Sequence, residues 1–218
     1  MKRTLAVAVL AAALVVVGVV PAHASIKRST YSSNPTWHTF TGVPTNGPLG
    51  NAQAVCLNAT SPANCPAGAT LYGFGGSGWT ADLSTIPHAL WIWAPGIDGT
   101  SHPSELAQYY FSKRIRIHGH PVFGKISVSA DDFAEVSVNG TVVGSVGSTT
   151  DPVAASEAQN ELTTFVITPF LHHGKNRITV RAQNGEGSFG GCSDCTYQQQ
   201  PAGVVFGVKI RFRTDDDN

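Results

Sequence analysis

Few residues in this chain could do chemistry. Asp131 and Asp132 are adjacent carboxylates ahead of an alternating apolar run. In a tight turn they would offer oxygens to Ca²⁺, which makes them the candidate ligands of a structural calcium ion. The competing reading is that each side chain accepts from nearby backbone N–H groups and shapes the turn. No further carboxylate lies close by in sequence, and no other cofactor is implied. His118-Gly119-His120 and His172-His173 bring imidazoles together, yet no third histidine or carboxylate stands at a recognisable ligand spacing. A serine nucleophile on a strand-to-helix turn needs Gly-x-Ser-x-Gly. Neither Gly75-Gly76-Ser77-Gly78 nor Gly187-Ser188-Phe189-Gly190-Gly191 has that spacing. The acid–base pair of a glycosidase is defined by the separation of two carboxyls, which the order of residues does not give. The expectation is a protein without catalytic residues, with an unrecognised hydrolase as the weaker alternative.

Cysteine chemistry points to crosslinks. Cys56 and Cys65 bound one short loop, and Cys192-Ser193-Asp194-Cys195 bounds a shorter one. Four cysteines allow three pairings. Local pairing is the preferred one, worth about 2.7 and 1.9 kcal/mol by chain entropy, against roughly 5 kcal/mol for a long Cys56 to Cys192 bridge. A redox Cys-x-x-Cys belongs at a helix start, whereas this one sits among Gly, Ser and Gln, and the Cys56 to Cys65 spacing is not that of a zinc knuckle.

The remaining candidates are binding residues. A sugar ring packs its C–H face on an aromatic ring while its hydroxyls seek Asp, Asn, Glu and Arg groups nearby. Trp79, in Gly78-Trp79-Thr80-Ala81-Asp82, lies in a loop, and Asp82 is close enough in sequence to accept from the same ligand. Tyr109 and Tyr110 must point to opposite faces of a strand, so one of them is available; Tyr109 is taken as that one. Asn184-Gly185-Glu186-Gly187 follows a strand and presents Asn184 and Glu186 as polar ligand groups. Trp91 and Trp93, two residues apart, point to one face and are expected in the core. Arg177, Arg181, Lys209, Arg211 and Arg213 would form a basic stripe if their strands pair, either a solvated sheet face or a surface for an acidic polysaccharide.

The elements that must position these residues are strands. Gly 23 and Pro 13 among 218 residues favour many turns over long helices. From about 90 onward the pattern has period two: Phe111, Ile115 and Ile117 share a face opposite Arg114 and Arg116; Ile126, Val128 and Ala130 alternate with serines; Ala134, Val136 and Val138 lead into Asn139-Gly140, the strongest hairpin dipeptide. Ile178, Val180 and Ala182, then Val204 to Phe212, repeat the alternation. Asp151-Pro152 predicts a cap and first turn, giving one short helix over 152–160. The part from 25 to 87 looks loop-rich, with a strand at 36–43; 88–213 is the strand-rich core, and 214–218 an acidic end. The expected fold is an all-β antiparallel sandwich with long N-terminal loops and at most one short helix.

Lys2 and Arg3, the apolar run from Leu5 to Val20 and Ala22-His23-Ala24 form an export signal over 1–24. The run is shorter than the roughly 20 residues of a bilayer span, so cleavage after Ala24 and a secreted protein are expected, with no membrane span in the mature chain. Lys+Arg 14 against Asp+Glu 14 gives a formal net charge of +0, which provides no bulk field for nucleic acid.

Trp91-Ile92-Trp93, Tyr109-Tyr110-Phe111, the block from Ile126 through Asp131-Asp132 to Val138-Asn139-Gly140, Ile167 to Leu171 and Gly174-Lys175-Asn176 together resemble the galactose-binding-like jelly roll. This is the accessory sandwich beside bacterial glycosidases such as rhamnosidases and family 2 glycoside hydrolases. The resemblance spans about 90–212 and implies the fold better than the function. It implies a non-catalytic module whose partner is a glycan or cell-surface polysaccharide. The alternative is a structural or adhesive subunit that assembles with itself or with another extracellular protein. Asp-Asp before a strand also resembles the calcium-dependent PA14-type adhesins.

Overall fold

The computed structural model describes residues 25–45, 47–57, 65–72, 79–80, 82–186 and 194–214. The expected leader at 1–24, the runs at 75–78 and 187–191, Cys192 and the acidic residues 215–218 lie outside the described residues. In chain order the strands are β1 Ser25–Ser32, β2 His38–Phe40, β3 Gly50–Asn51, β4 Gln53–Leu57, β5 Thr70–Tyr72, β6 Ile92–Trp93 and β7 Gln108–Ile117. They continue with β8 His120–Asp131, β9 Phe133–Val138, β10 Thr141–Gly147, β11 Thr163–Val166, β12 Gly174–Gln183 and β13 Gly203–Thr214. Helix α1 is Pro152–Asn160, and a 3-10 turn covers Thr168–Phe170.

Two sheets face each other. The seven-stranded sheet runs β11-β8-β13-β6-β4-β5, with β1 also pairing to β13, and the six-stranded sheet runs β10-β9-β12-β7-β2-β3. Described pairs are antiparallel except β4 with β5, which are parallel. Between the sheets, Ile126 and Val128 of β8 and Phe206 and Val208 of β13 pack with Phe111, Val136, Val138 and Ile178 in one buried cluster. The period-two faces read from the sequence are therefore the core faces, because alternate side chains of a strand project to opposite sides.

Local sequence sets the turns. Asn139 and Gly140 have φ of 54° and 86°, the paired positive values that a two-residue hairpin of matching twist requires. Asn139 also ties the hairpin to its neighbours: its Nδ2 donates to the Phe170 carbonyl at 2.8 Å and its Oδ1 accepts from the Arg177 N–H at 2.8 Å. Asp151 caps α1 by accepting from Val153 N–H at 2.9 Å and Ala154 N–H at 3.3 Å, ahead of Pro152 in the first turn.

Three features differ from the expectation. The loop-rich N-terminal part contains β1, an eight-residue strand paired along β13. None of its side chains is fully buried, so it has no apolar alternation to betray it; the edge of β13 recruits it. The strand expected at 36–43 is confined to His38–Phe40. Ser127 and Ser129, on the polar side of β8, are buried, because α1 lies over that side and Ser129 Oγ donates to the Ala158 carbonyl at 2.6 Å. Cys56 and Cys65 form the expected local disulfide, and Cys195 is also disulfide-bonded.

The register separates the charges. At the end holding the β9–β10 turn and the start of β12 lie Arg114, Arg116, Lys175 and Arg177 on one sheet and Arg28, Arg211 and Arg213 on the other. Among the described residues, Asp131, Asp132, Glu135, Asp151 and Glu186 lie at the opposite end, beside α1 and the β8–β9 turn.

Candidate functional site

The five residues expected to bind ligand do not present a shared surface. Trp79 is 8% exposed. Its ring stacks on Trp91 with centroids 4.4 Å apart, and its indole N–H donates to Asp131 Oδ2 at 2.8 Å. The slot exists because Gly203 beneath has no side chain: a Cβ there would stand 2.7 Å from the Trp79 ring. The ring therefore covers the sheet rather than offering a free platform, which corrects the expectation. Beside it an apolar hollow of about 430 Å³ is lined by Trp79, Trp91, Leu83 and Leu90. Asp82 is exposed and accepts from the Ser84 N–H at 3.0 Å, a turn that holds its carboxyl below the usual range. Tyr109 points inward, edge-on to Trp93 at 5.4 Å. Asn184 is fully buried and donates to the Ser104 carbonyl at 3.0 Å, pinning a loop. Glu186 is exposed, its N–H held by the Thr149 carbonyl. Trp91 and Trp93 are both buried as expected, but β6 is too short to hold period two across them. Trp91 meets Trp79 while Trp93 meets Tyr109 and Phe111.

Asp131 and Asp132 are a buried carboxyl pair. Asp131 accepts from Trp79 Nε1 and, at 2.6 Å, from Gln159 Nε2; Asp132 accepts from Gln159 Nε2 at 2.8 Å and from the Gly185 N–H at 2.7 Å. Burial, then the negative charge of Asp132, pushes the Asp131 carboxyl well above the usual range. All four oxygens face N–H donors, whereas Ca²⁺ asks for six to eight oxygens. Among the described residues no group of three or more His, Cys, Asp or Glu side chains could hold a metal. The pair is better accounted for as the clamp between β8, α1 and the 184–186 loop than as calcium ligands.

The basic stripe also needs correction. Arg177 and Arg181 belong to the six-stranded sheet, and Lys209, Arg211 and Arg213 to the other, so they do not line up. β12 pairs instead with β7, setting Arg177 opposite Arg114 and Lys175 opposite Arg116. The outer face of the six-stranded sheet then carries, rung by rung, Lys175 with Arg116, Arg177 with Arg114, Thr179 with Ser112 and His38, and Arg181 with Tyr110 and Phe40. Tyr110, and not Tyr109, is the tyrosine that faces outward. The chain after β2 folds back as a wall, where Arg177 Nη1 donates to the Pro44 carbonyl. Two adjoining hollows follow. One of about 430 Å³ is lined by His38, Phe40, Pro44, Ser112, Arg114 and Arg177, and one of about 460 Å³ by Arg114, Arg116, Asn139, Lys175 and Arg177. Lys113 reaches round the wall, donating to Thr36 Oγ1 at 2.6 Å with its ammonium 5.8 Å from the Trp37 ring centroid. Among the described residues the one carboxylate on this face is Glu135, 3.5 Å from the Arg181 guanidinium. Arg114 and Arg116 were placed opposite the core by alternation alone; their role as a patch was missed because it depends on the β7–β12 partnership.

No protein-family model and no curated protein matches the chain. Solved structures do share its shape in part. A Streptomyces avermitilis alpha-L-rhamnosidase complexed with L-rhamnose is 21% identical, over 59% of this chain and 12% of that one, with a TM-score of 0.41. An FMN-binding beta-glucuronidase from Facaelibacterium prausnitzii L2-6 is 16% identical, over 84% and 22%, with a TM-score of 0.39. A beta-D-glucuronidase from Dictyoglomus thermophilum is 13% identical, over 83% and 28%, with a TM-score of 0.39. The chain thus spans between 12% and 28% of the length of these enzymes. The similarity is to regions of rhamnosidases and glucuronidases at low identity, and it does not single out a galactose-binding jelly roll. Among the described residues no helix is long and apolar enough to cross a membrane.

Proposed function

We propose that the chain is an exported, non-catalytic β-sandwich that recognises carbohydrate on the outer face of its six-stranded sheet. The observation that carries this reading is the row in which Phe40 pairs with Tyr110 beside Arg181, one rung from the exposed His38. Aromatic rings beside imidazole and guanidinium groups are what a pyranose needs, the rings for its C–H face and the polar groups for its hydroxyls. Glu135 is paired with Arg181 and, among the described residues, has no second carboxylate opposite it on this face, so no pair of the kind needed for glycoside hydrolysis is assembled there by them. A glycan array probed with the mature chain, with and without Ca²⁺, tests the reading: binding to a defined glycan class supports it, and binding to none contradicts it.

A second reading has one observation in its favour. Strand β1 pairs with β13 on one side, and among the described residues nothing pairs with its other side; Ile26 on this strand is 53% exposed. An open edge favours assembly with another copy or an extracellular protein. Lys27 and Arg28 on the same strand act against edge-to-edge pairing, which keeps this reading second. Sedimentation of the mature chain as a monomer would remove its self-assembly form.

A further inference from the structure

Resting on the carbohydrate reading, we infer that the glycan is acidic, bearing carboxylate or sulfate groups, and that it lies along the hollows with its anions over the rungs Lys175–Arg116 and Arg177–Arg114. Like charges directly opposite each other on neighbouring strands destabilise a sheet, yet these two rungs stand side by side. Within each rung the side chains start about 5 Å apart, and the rungs are separated by two residues, about 6.6 Å along the strand. Four cations thus share a patch the size of one or two sugar rings. Among the described residues none of Arg114, Arg116, Lys175 and Arg177 has a carboxylate within ion-pair distance. Arg177 uses one N–H on the Pro44 carbonyl and keeps the rest of its fork.

Among the described residues the carboxylates of Asp131, Asp132, Glu135 and Glu186 lie at the far end of the sandwich, away from the field of the patch. Concave, low-dielectric walls lined by one sign of charge focus that field, and the Pro44 wall supplies the concavity. Guanidinium groups bind carboxylate and sulfate oxygens by paired N–H donation. A neutral sugar would use the rings of the lower rungs and leave these four charges unneutralised. Duplex nucleic acid is disfavoured by shape, since it calls for a helix or ribbon that enters a groove, and here the cations sit on a recessed sheet face. The other sheet has like-charged rungs as well, Arg28 with Arg211 and Lys125 with Lys209. That makes it the internal control for a diffuse charge effect.

The experiment uses the mature chain with polygalacturonate, neutral dextran, a single-stranded oligonucleotide and anionic vesicles, each at several salt concentrations. Arg116→Gln with Lys175→Gln removes one rung, and Lys209→Gln with Arg211→Gln removes the same charge from the opposite sheet. The inference expects salt-sensitive binding to polygalacturonate, at least tenfold weaker and less salt-dependent in the Arg116/Lys175 variant, and within twofold of wild type in the control. Thermal unfolding should show the rung variant no less stable, since repulsion has been relieved. Equal weakening by both variants overturns the inference in favour of diffuse attraction, and tighter binding to the oligonucleotide or vesicles overturns it in favour of those partners. Binding to a neutral glycan unaffected by either variant overturns it while leaving the carbohydrate reading standing; binding to no glycan removes both.

Discussion

Asp131 sits at the junction of Trp79, Gln159 and Asp132, and its raised pKa has a direct consequence for stability. The folded protein keeps the Asp131 proton to a higher pH than the unfolded chain does. From about pH 4 upward the unfolded chain releases it first, so this group makes stability fall as pH rises through the folded value. Asp131→Asn removes the titrating carboxyl; its carbonyl can accept from Trp79, and its Nδ2 then faces the Gln159 side chain, whose amide must turn to accept from it. The variant should stay folded and show a smaller loss of melting temperature between pH 4 and pH 8; an unchanged slope would place the proton elsewhere. Trp79→Ala should behave differently from a binding variant. Emptying the slot over Gly203 and under Trp91 should lower stability by about 3–5 kcal/mol in denaturant unfolding. The loop position of Trp79 suggested exposure, and sequence had no means of showing that a glycine more than a hundred residues away leaves room for its ring.

Among the elements, strands with one buried face were legible and those without were not. β9, the Asn139-Gly140 turn and β12 show their alternation in the chain, and the structure has Val138 and Ile178 fully buried opposite each other. Val138→Ala should therefore cost about 1–3 kcal/mol, from lost burial and a partial cavity, measured by denaturant unfolding. A neutral result would mean that the face of β9 is not what packs the core. The helix was legible through Asp151-Pro152, because capping is a local interaction. β1 was not, since its stability comes from the ladder with β13 and not from any apolar pattern of its own. The same distinction explains the site. Alternation placed Arg114 and Arg116 on the outer face, but which strand lies beside β7 is a property of topology. The stripe imagined across β12 and β13 fell on two different sheets.

For the whole molecule, a formal net charge of +0 conceals a separation of charge among the described strand residues, and the proposal of an anionic polymer on this face rests on it. The central claim is that the face of β2, β7 and β12 is where a glycan rests, and Tyr110 is its most direct reporter. With the glycan that the array selects, isothermal titration of wild type and Tyr110→Ala should show binding weakened by about tenfold to a hundredfold, as expected for roughly 1–3 kcal/mol of lost ring contact, with the melting temperature unchanged. Affinity equal to wild type in Tyr110→Ala would contradict the account and move the binding site off this sheet.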